Sequence, residues 1–299
     1  MKDLKEPVIY NGKLVDIMSC TKCNAKCEHC YISYGGNLTG DELYEMVDKL
    51  KDKYEIYING SEPLMNKEYL KSYALANYES PITNGLVFYN KFDYIDTLKE
   101  YGITNLRISY HFDMHEEISP VPKSFLEQLF KEIKKRDVKL TIMCSLSKKN
   151  YKNIEKYCEM AKNFGADAIK FTNFISQGKA KKMDEGLFLD QSDYDLFFEL
   201  LHKVRDKYDK NVLEIQRCGS FGKDTYGKSN FLCDAGVDFV CITPDKNVYP
   251  CIFFCQPGNE IGYYEDGKIY ITKEFKNDQT NCLARKKYNE TTDNLKTNK

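Results

Sequence analysis

The sequence predicts an α/β protein: a partial (β/α)6, TIM-like barrel followed by a small C-terminal β-hairpin region. Three observations carry this reading. Short apolar strands alternate with amphipathic helices six times between residues 14 and 208, the spacing of parallel βα units. A cysteine-rich loop follows the first of those strands directly. Beyond residue 217 the texture changes to glycine, polar residues and further cysteines with two hairpin signals.

Taken in order, Val8-Ile9-Tyr10 and Leu14 to Met18 read as strands joined by a tight turn at Asn11-Gly12. Thr39 with Glu42 three residues on forms a capping box, and Leu43, Met46, Val47 and Leu50 give its helix an apolar face. Strand 55–58 ends in Asn59-Gly60-Ser61-Glu62-Pro63 and leads to a helix over 67–78. A short strand reaches Thr83-Asn84-Gly85 before a helix near 91–101. Ile103 to Ser109 and helix 123–136 make the fourth unit, Val138 to Cys144 and helix 150–164 the fifth. Ala166 to Phe171 and helix 191–208 make the sixth, joined by a long loop that carries Gly178-Lys179-Ala180. Every motif falls at the C-terminal end of a strand, where α/β folds bind their ligands.

Composition narrows the function. Lys plus Arg number 44 against 45 Asp plus Glu, which argues against a dedicated nucleic-acid binder. No apolar run approaches the ~18 residues that cross a membrane, and Met1 to Pro7 lacks a signal-peptide core. Twelve cysteines without an export signal point to a reducing, cytoplasmic compartment and to metal rather than disulfides. Four lie within 20–30, six within 218–282, and only Cys144 and Cys158 between, so two metal sites are expected.

Cys23, Cys27 and Cys30 stand as C-x3-C-x2-C. Three thiolates on one loop can hold three irons of a [4Fe–4S] cluster and leave the fourth open to a substrate or cofactor. Cys20 adds a fourth thiol, and zinc is the alternative, but zinc knuckles usually stand a dozen or more residues apart. Cys20 reads more simply as a small buried residue closing the strand.

With His29 just before its third cysteine, this triplet resembles the signature of the radical S-adenosylmethionine (radical SAM) enzymes. The resemblance implies a [4Fe–4S] cluster whose open iron is chelated by S-adenosylmethionine, which is then cleaved reductively to a 5′-deoxyadenosyl radical. Gly60-Ser61-Glu62-Pro63 is similar to the family's Gly-Gly-Glu-Pro stretch, which holds the amino group of SAM; Ser61 stands where the second glycine is usual. Thr83-Asn84 and Ser109 match further SAM-contacting strand ends. His29 and Tyr31, on either side of Cys30, complete the candidate cofactor contacts. His111 and His115 read as polar loop residues, because no carboxylate pattern completes a site around them.

Cys233-Asp234-Ala235-Gly236, a hairpin, and Tyr249-Pro250-Cys251 resemble the SPASM/twitch extension of that family, which binds an auxiliary [4Fe–4S] cluster. Lys246 replaces the usual turn glycine. The resemblance implies Cys233, Cys251 and Cys282 as ligands, with Cys241 or Cys255 as the fourth. Zinc remains the alternative here too. The expected organisation is a barrel over 1–217, a linker over 218–230, a twitch/SPASM-like region over 231–284 and a polar tail over 285–299.

The expected function is a radical SAM enzyme acting on a peptide, by crosslinking, epimerisation or oxidation. A small molecule such as an amino sugar or cyclitol is the alternative substrate, and a non-catalytic iron–sulfur or zinc scaffold the distant one. For an epimerase, Cys144 and Cys218 are the candidate hydrogen-atom donors. A flavodoxin or ferredoxin electron donor is implied. Because the chain starts close to its first strand, a separate leader-peptide-binding protein is expected for a peptide substrate.

Overall fold

The computed structural model describes residues 2–222, 233–275 and Cys282. Most of the expected linker, at 223–230, and the polar tail at 285–299 lie outside the described residues. The strands are β1 (Lys2–Ile9), β2 (Leu14–Met18), β3 (Glu55–Asn59), β4 (Ile82–Thr83), β5 (Asn105–Ser109), β6 (Lys139–Leu146), β7 (Ala168–Asn173) and β8 (Glu214–Arg217). They are followed by β9 (Phe239–Ile242), β10 (Asn247–Tyr249), β11 (Gly262–Glu265) and β12 (Lys268–Glu274). The helices between them are α1 (Gly40–Leu50), α2 (Leu70–Leu75), α3 (Tyr94–Glu100), α4 (His115–Ile118), α5 (Lys123–Lys135), α6 (Ile154–Asn163) and α7 (Gln191–Lys207).

The six βα units are present, and β4 to β8 run parallel in chain order. Local chemistry starts the helices as expected. Thr39 and Glu42 close the capping box of α1, and Asp190 with Asp193 closes a second one on α7. The helix expected over 67–78 is shorter, because a 3-10 turn occupies Lys67–Tyr69 before α2.

One expectation needs correction. Asn11-Gly12 does not turn a hairpin: β1 pairs antiparallel with β12, and β2 pairs with β3 and β9 instead. The side chain of Tyr10 explains this, since its hydroxyl occupies the space where a Cβ on Gly12 would stand and donates to Leu14 O. The C-terminal strands join the barrel sheet. β9 continues the barrel edge parallel to β2, and β10, β11, β12 and β1 extend the same seven-stranded sheet outward.

Alternation along the strands sets two faces. The outer one, with Val15, Ile17, Ile58, Leu106, Ile108, Leu140 and Ile142 fully buried, packs under the helices. The inner one is polar. Asn59 donates through Nδ2 to both oxygens of Asp16 (2.9 and 3.0 Å), Thr141 donates to Asn105 Oδ1 (3.1 Å), and the hydroxyls of Ser145 and Thr172 pair at 3.1 Å. Eight-stranded barrels commonly fill this space with branched aliphatic residues; a polar interior leaves room for a polar ligand.

Candidate functional site

The cysteine loop leaves β2 and returns to α1 at one end of the barrel. Its neck is closed by a bridge between Cys20 and Asn37, whose Oδ1 accepts from the N–H groups of Thr21 and Lys22 (3.1 and 3.0 Å). Cys20 is buried as expected, with its sulfur turned into the core against Gly60. Cys23 is exposed, and Cys27 and Cys30 are half-buried. Three of the four thiols therefore stand at the mouth and one does not.

That donor set fits a [4Fe–4S] cluster with one open iron better than a four-thiolate ion. A cluster spreads its ligands over separate irons, which suits three thiols at the mouth with the fourth turned inward. Burial raises the Cys23 thiol, and raises that of Cys27 to about 11. Iron binding there releases protons.

Several strand ends hold the loop. Asn84 Nδ2 reaches Cys23 Sγ at 3.5 Å and donates to Asn24 Oδ1 at 2.9 Å, while the Asn84 N–H donates to Glu62 Oε2 at 2.7 Å. Glu62 is buried, and desolvation lifts its carboxyl to about 7; its Oε1 has no hydrogen-bond partner. Pro63 opens a 3-10 turn behind it, Ser61 N–H donates to Cys20 O, and the Thr83 hydroxyl accepts from Gly85 N–H. Ser109 ends β5, half-buried on the inner face. The missing side chain of Gly60 makes room for the chain beside it: a Cβ there would lie 2.9 Å from Cys20 Sγ and 3.1 Å from Ser19 Oγ.

The long loop after β7 closes the other side. Gly178, at φ +55°, lies so near the cysteine loop that a Cβ would come within 2.5 Å of Ile32 O and 2.8 Å of Cys30 O. Ala180 N–H donates to Cys30 O at 3.2 Å. Lys179 reaches Lys26 O and Glu28, both on the cysteine loop.

His29 stacks on Phe174 (5.6 Å) and meets His111 edge-on (4.6 Å); burial pushes its pKa down to about 4. His111 and His115 are not surface polar residues, as the sequence suggested, but are buried. His111 Nδ1 accepts from Ser145 N–H and His115 Nδ1 from His111 N–H, which fixes both rings neutral and backs the mouth with a rigid aromatic wall. Sequence reasoning missed them because a histidine's burial is set by elements distant in the chain.

Cys144 also needs correction. Its thiol is fully buried on the helix side of β6, beside Cys158 of α6, because residue 144 alternates with the inward-facing Ser145. Cys218 follows β8, half-buried, with its N–H bound to Phe171 O at 2.8 Å. The interior residues Asp16, Asn59, Arg107 and Lys170 carried no sequence signal beyond strand alternation.

In the C-terminal region Cys251 and Cys282 share an apolar cluster with Ile175, Ala235 and Phe254, against which Cys233 and Tyr31 pack. Cys241 lies in a neighbouring cluster with Met18 and Tyr249, and its sulfur touches that of Cys255 at 3.4 Å. Cys255 Sγ lies 3.6 Å from Cys251 O. Lys246 sits at φ +67°, the left-handed region its turn demands.

No family model matches the chain. Over 202 residues it is 24% identical to the AdoMet-dependent heme synthase of Methanosarcina barkeri (strain Fusaro / DSM 804), covering 61% of this chain and 56% of the relative. Over 224 residues it is 24% identical to the Fe-coproporphyrin III synthase of the same organism, covering 69% and 54%. The chain spans little more than half the length of these curated relatives. Among solved structures, Streptococcus suis SuiB bound to precursor peptide SuiA superposes with a TM-score of 0.66 at 16% identity, over 93% of this chain and 65% of that one. Native anSMEcpe with bound AdoMet gives 0.64 at 18%, over 84% and 77%. The chain shares the fold of these solved structures, and its Cys23, Cys27 and Cys30 loop resembles the radical SAM signature.

Proposed function

We propose that this protein is a radical SAM enzyme whose substrate is a peptide. The observation that carries the reading is the division of thiols at the barrel mouth: Cys23, Cys27 and Cys30 outward, Cys20 inward. Bound there, a [4Fe–4S] cluster and S-adenosylmethionine would supply reductive cleavage of SAM and a hydrogen-abstracting 5′-deoxyadenosyl radical. The three cysteines hold the cluster and the Asn84 amide orients Cys23. His29, Tyr31, the 60–63 turn, Thr83, Asn84 and Ser109 surround the SAM position. The polar barrel interior receives the substrate.

Cys233, Cys251, Cys282 and Cys255 would hold an auxiliary [4Fe–4S] cluster, with Cys241 behind Cys255. A flavodoxin or ferredoxin supplies the electron. Cys218 is the thiol placed to return a hydrogen atom if the outcome is epimerisation. Support for a peptide comes from SuiB, solved with its precursor peptide, and from anSMEcpe, solved with AdoMet and the Cp18Cys peptide. A small-molecule substrate is the second reading, favoured by the sequence likeness to the two Methanosarcina synthases.

The test is 5′-deoxyadenosine formation by the reconstituted, dithionite-reduced protein. Alanine at Cys23, Cys27 or Cys30 should abolish it. Unchanged cleavage by any of the three variants, or zinc in the wild-type loop, overturns the proposal.

A further inference from the structure

We infer that Lys170 and Arg107 form an anion subsite inside the barrel that takes a carboxylate of the substrate. The inference rests on the reading of the barrel interior as the substrate chamber.

Lys170 lies on the inner face of β7. Phe171, which follows it, turns outward onto Phe197 of α7, and Lys170 shares a register row with Ser109, Met143 and Gln216. The side chain is half-buried, yet among the described residues no hydrogen bond or ion pair engages its ammonium. Glu214, at the exposed start of β8, stands beyond ion-pair distance. Arg107, on the inner face of β5, spends only Nε, on Ser80 Oγ at 3.0 Å. Its terminal nitrogens take no partner among the described residues. Burial pushes the Lys170 pKa down, opposed by the neighbouring Cys218 thiol and aided by Arg107 as a repelling neighbour.

Several surface cations of this chain are paired instead. Arg136, Lys134, Lys148 and Lys156 each face a carboxylate. Leaving a lysine unpaired and partly desolvated costs free energy, and such exceptions concentrate where a ligand completes the pairing. Asp16 attracts Arg107 but gives both of its oxygens to Asn59. With the Asp16 carboxyl pushed up to about 7, the two cations outweigh it, and the excess positive charge suits an anion such as a carboxylate. The planar fork of Arg107 and the point charge of Lys170 together suit its two oxygens.

Acetate and acetamide, equal in shape and different in charge, are the probes, read by saturation-transfer NMR on the reconstituted protein. Acetate should give a signal with wild type and acetamide none. Lys170→Met and Lys170→Gln should weaken acetate binding at least tenfold, while Lys170→Arg keeps it. The thermal midpoint of Lys170→Met should hold or rise, because it removes an unpaired charge. Equal acetate signals in wild type and Lys170→Met, no signal in wild type, or a fall in midpoint in both neutral variants would overturn the subsite.

Adding SAM should leave the acetate signal in place; its loss would assign Lys170 to the cofactor and defeat the inference. Displacement of acetate by N-acetyl-Ala-Glu-Ala-amide but not by its Gln counterpart marks a peptide-borne carboxylate. Displacement by glutarate alone marks a small acid. Failure of wild type to form 5′-deoxyadenosine would defeat the proposed function and leave the acetate result standing.

Discussion

The ring of Tyr31 meets that of Phe253 edge-on at 5.2 Å, which joins the N-terminal cysteine loop to a residue 222 positions later in the chain. Gln177, from the loop after β7, donates to the carbonyl of the same Phe253. Three segments therefore meet at one point, beside the cluster that holds Cys251 and Cys282. Tyr31→Ala should cost about 2–4 kcal/mol through the cavity it leaves. It should also lower iron per chain at both sites, measured by iron assay in backgrounds that each retain only one cysteine group. Loss at one site alone would contradict a coupling between them.

Gly178 admits no side chain without moving the carbonyls of Cys30 and Ile32. Gly178→Ala should destabilise by about 1–3 kcal/mol from backbone strain and reduce cluster loading at the first loop, visible in the ultraviolet–visible spectrum. Lys179→Ala, which only gives up exposed contacts to Lys26 and Glu28, should leave the spectrum unchanged.

The 3.4 Å contact between Cys241 and Cys255 makes the two thiols separable by substitution. Cys255→Ser should lose the auxiliary iron, while Cys241→Ser retains it. The reverse result would make Cys241 the fourth ligand.

Asp16 carries a pH dependence with a definite sign. Desolvation lifts its carboxyl from 3.8 to about 7. The folded state thus binds the proton more tightly than the unfolded one, and stability is highest below pH ~4 on this account and falls as pH rises toward 7, by a few kcal/mol at roughly 1.4 kcal/mol per pH unit. Asp16→Asn should flatten that part of the profile in urea melts taken between pH 4 and 8. An unchanged slope would show that another group carries it.

Lys246 pays for its left-handed backbone with strain. Lys246→Gly should raise stability by about 1 kcal/mol, the relief of strain less the added freedom of the unfolded chain.

Cys144→Ala should lower stability by about 1 kcal/mol through a small core cavity and leave 5′-deoxyadenosine formation intact. Loss of activity without loss of stability would return Cys144 to the site.

Much of this was legible in the residues alone. The cysteine spacing, the capping box at Thr39, the hairpin at Asp266-Gly267 (both at positive φ) and the alternation of strands with helices are local signals, carried by neighbours in sequence. The tertiary structure decided what depends on distant partners. It turned Cys20 inward and Cys23 outward, sent β1 to β12 rather than β2, hid His111 and Cys144, and faced Lys170 into the barrel with no ion pair among the described residues. Periodicity says that a side chain lies on one face of a strand; only the packing of remote elements says whether that face meets helix, solvent or substrate.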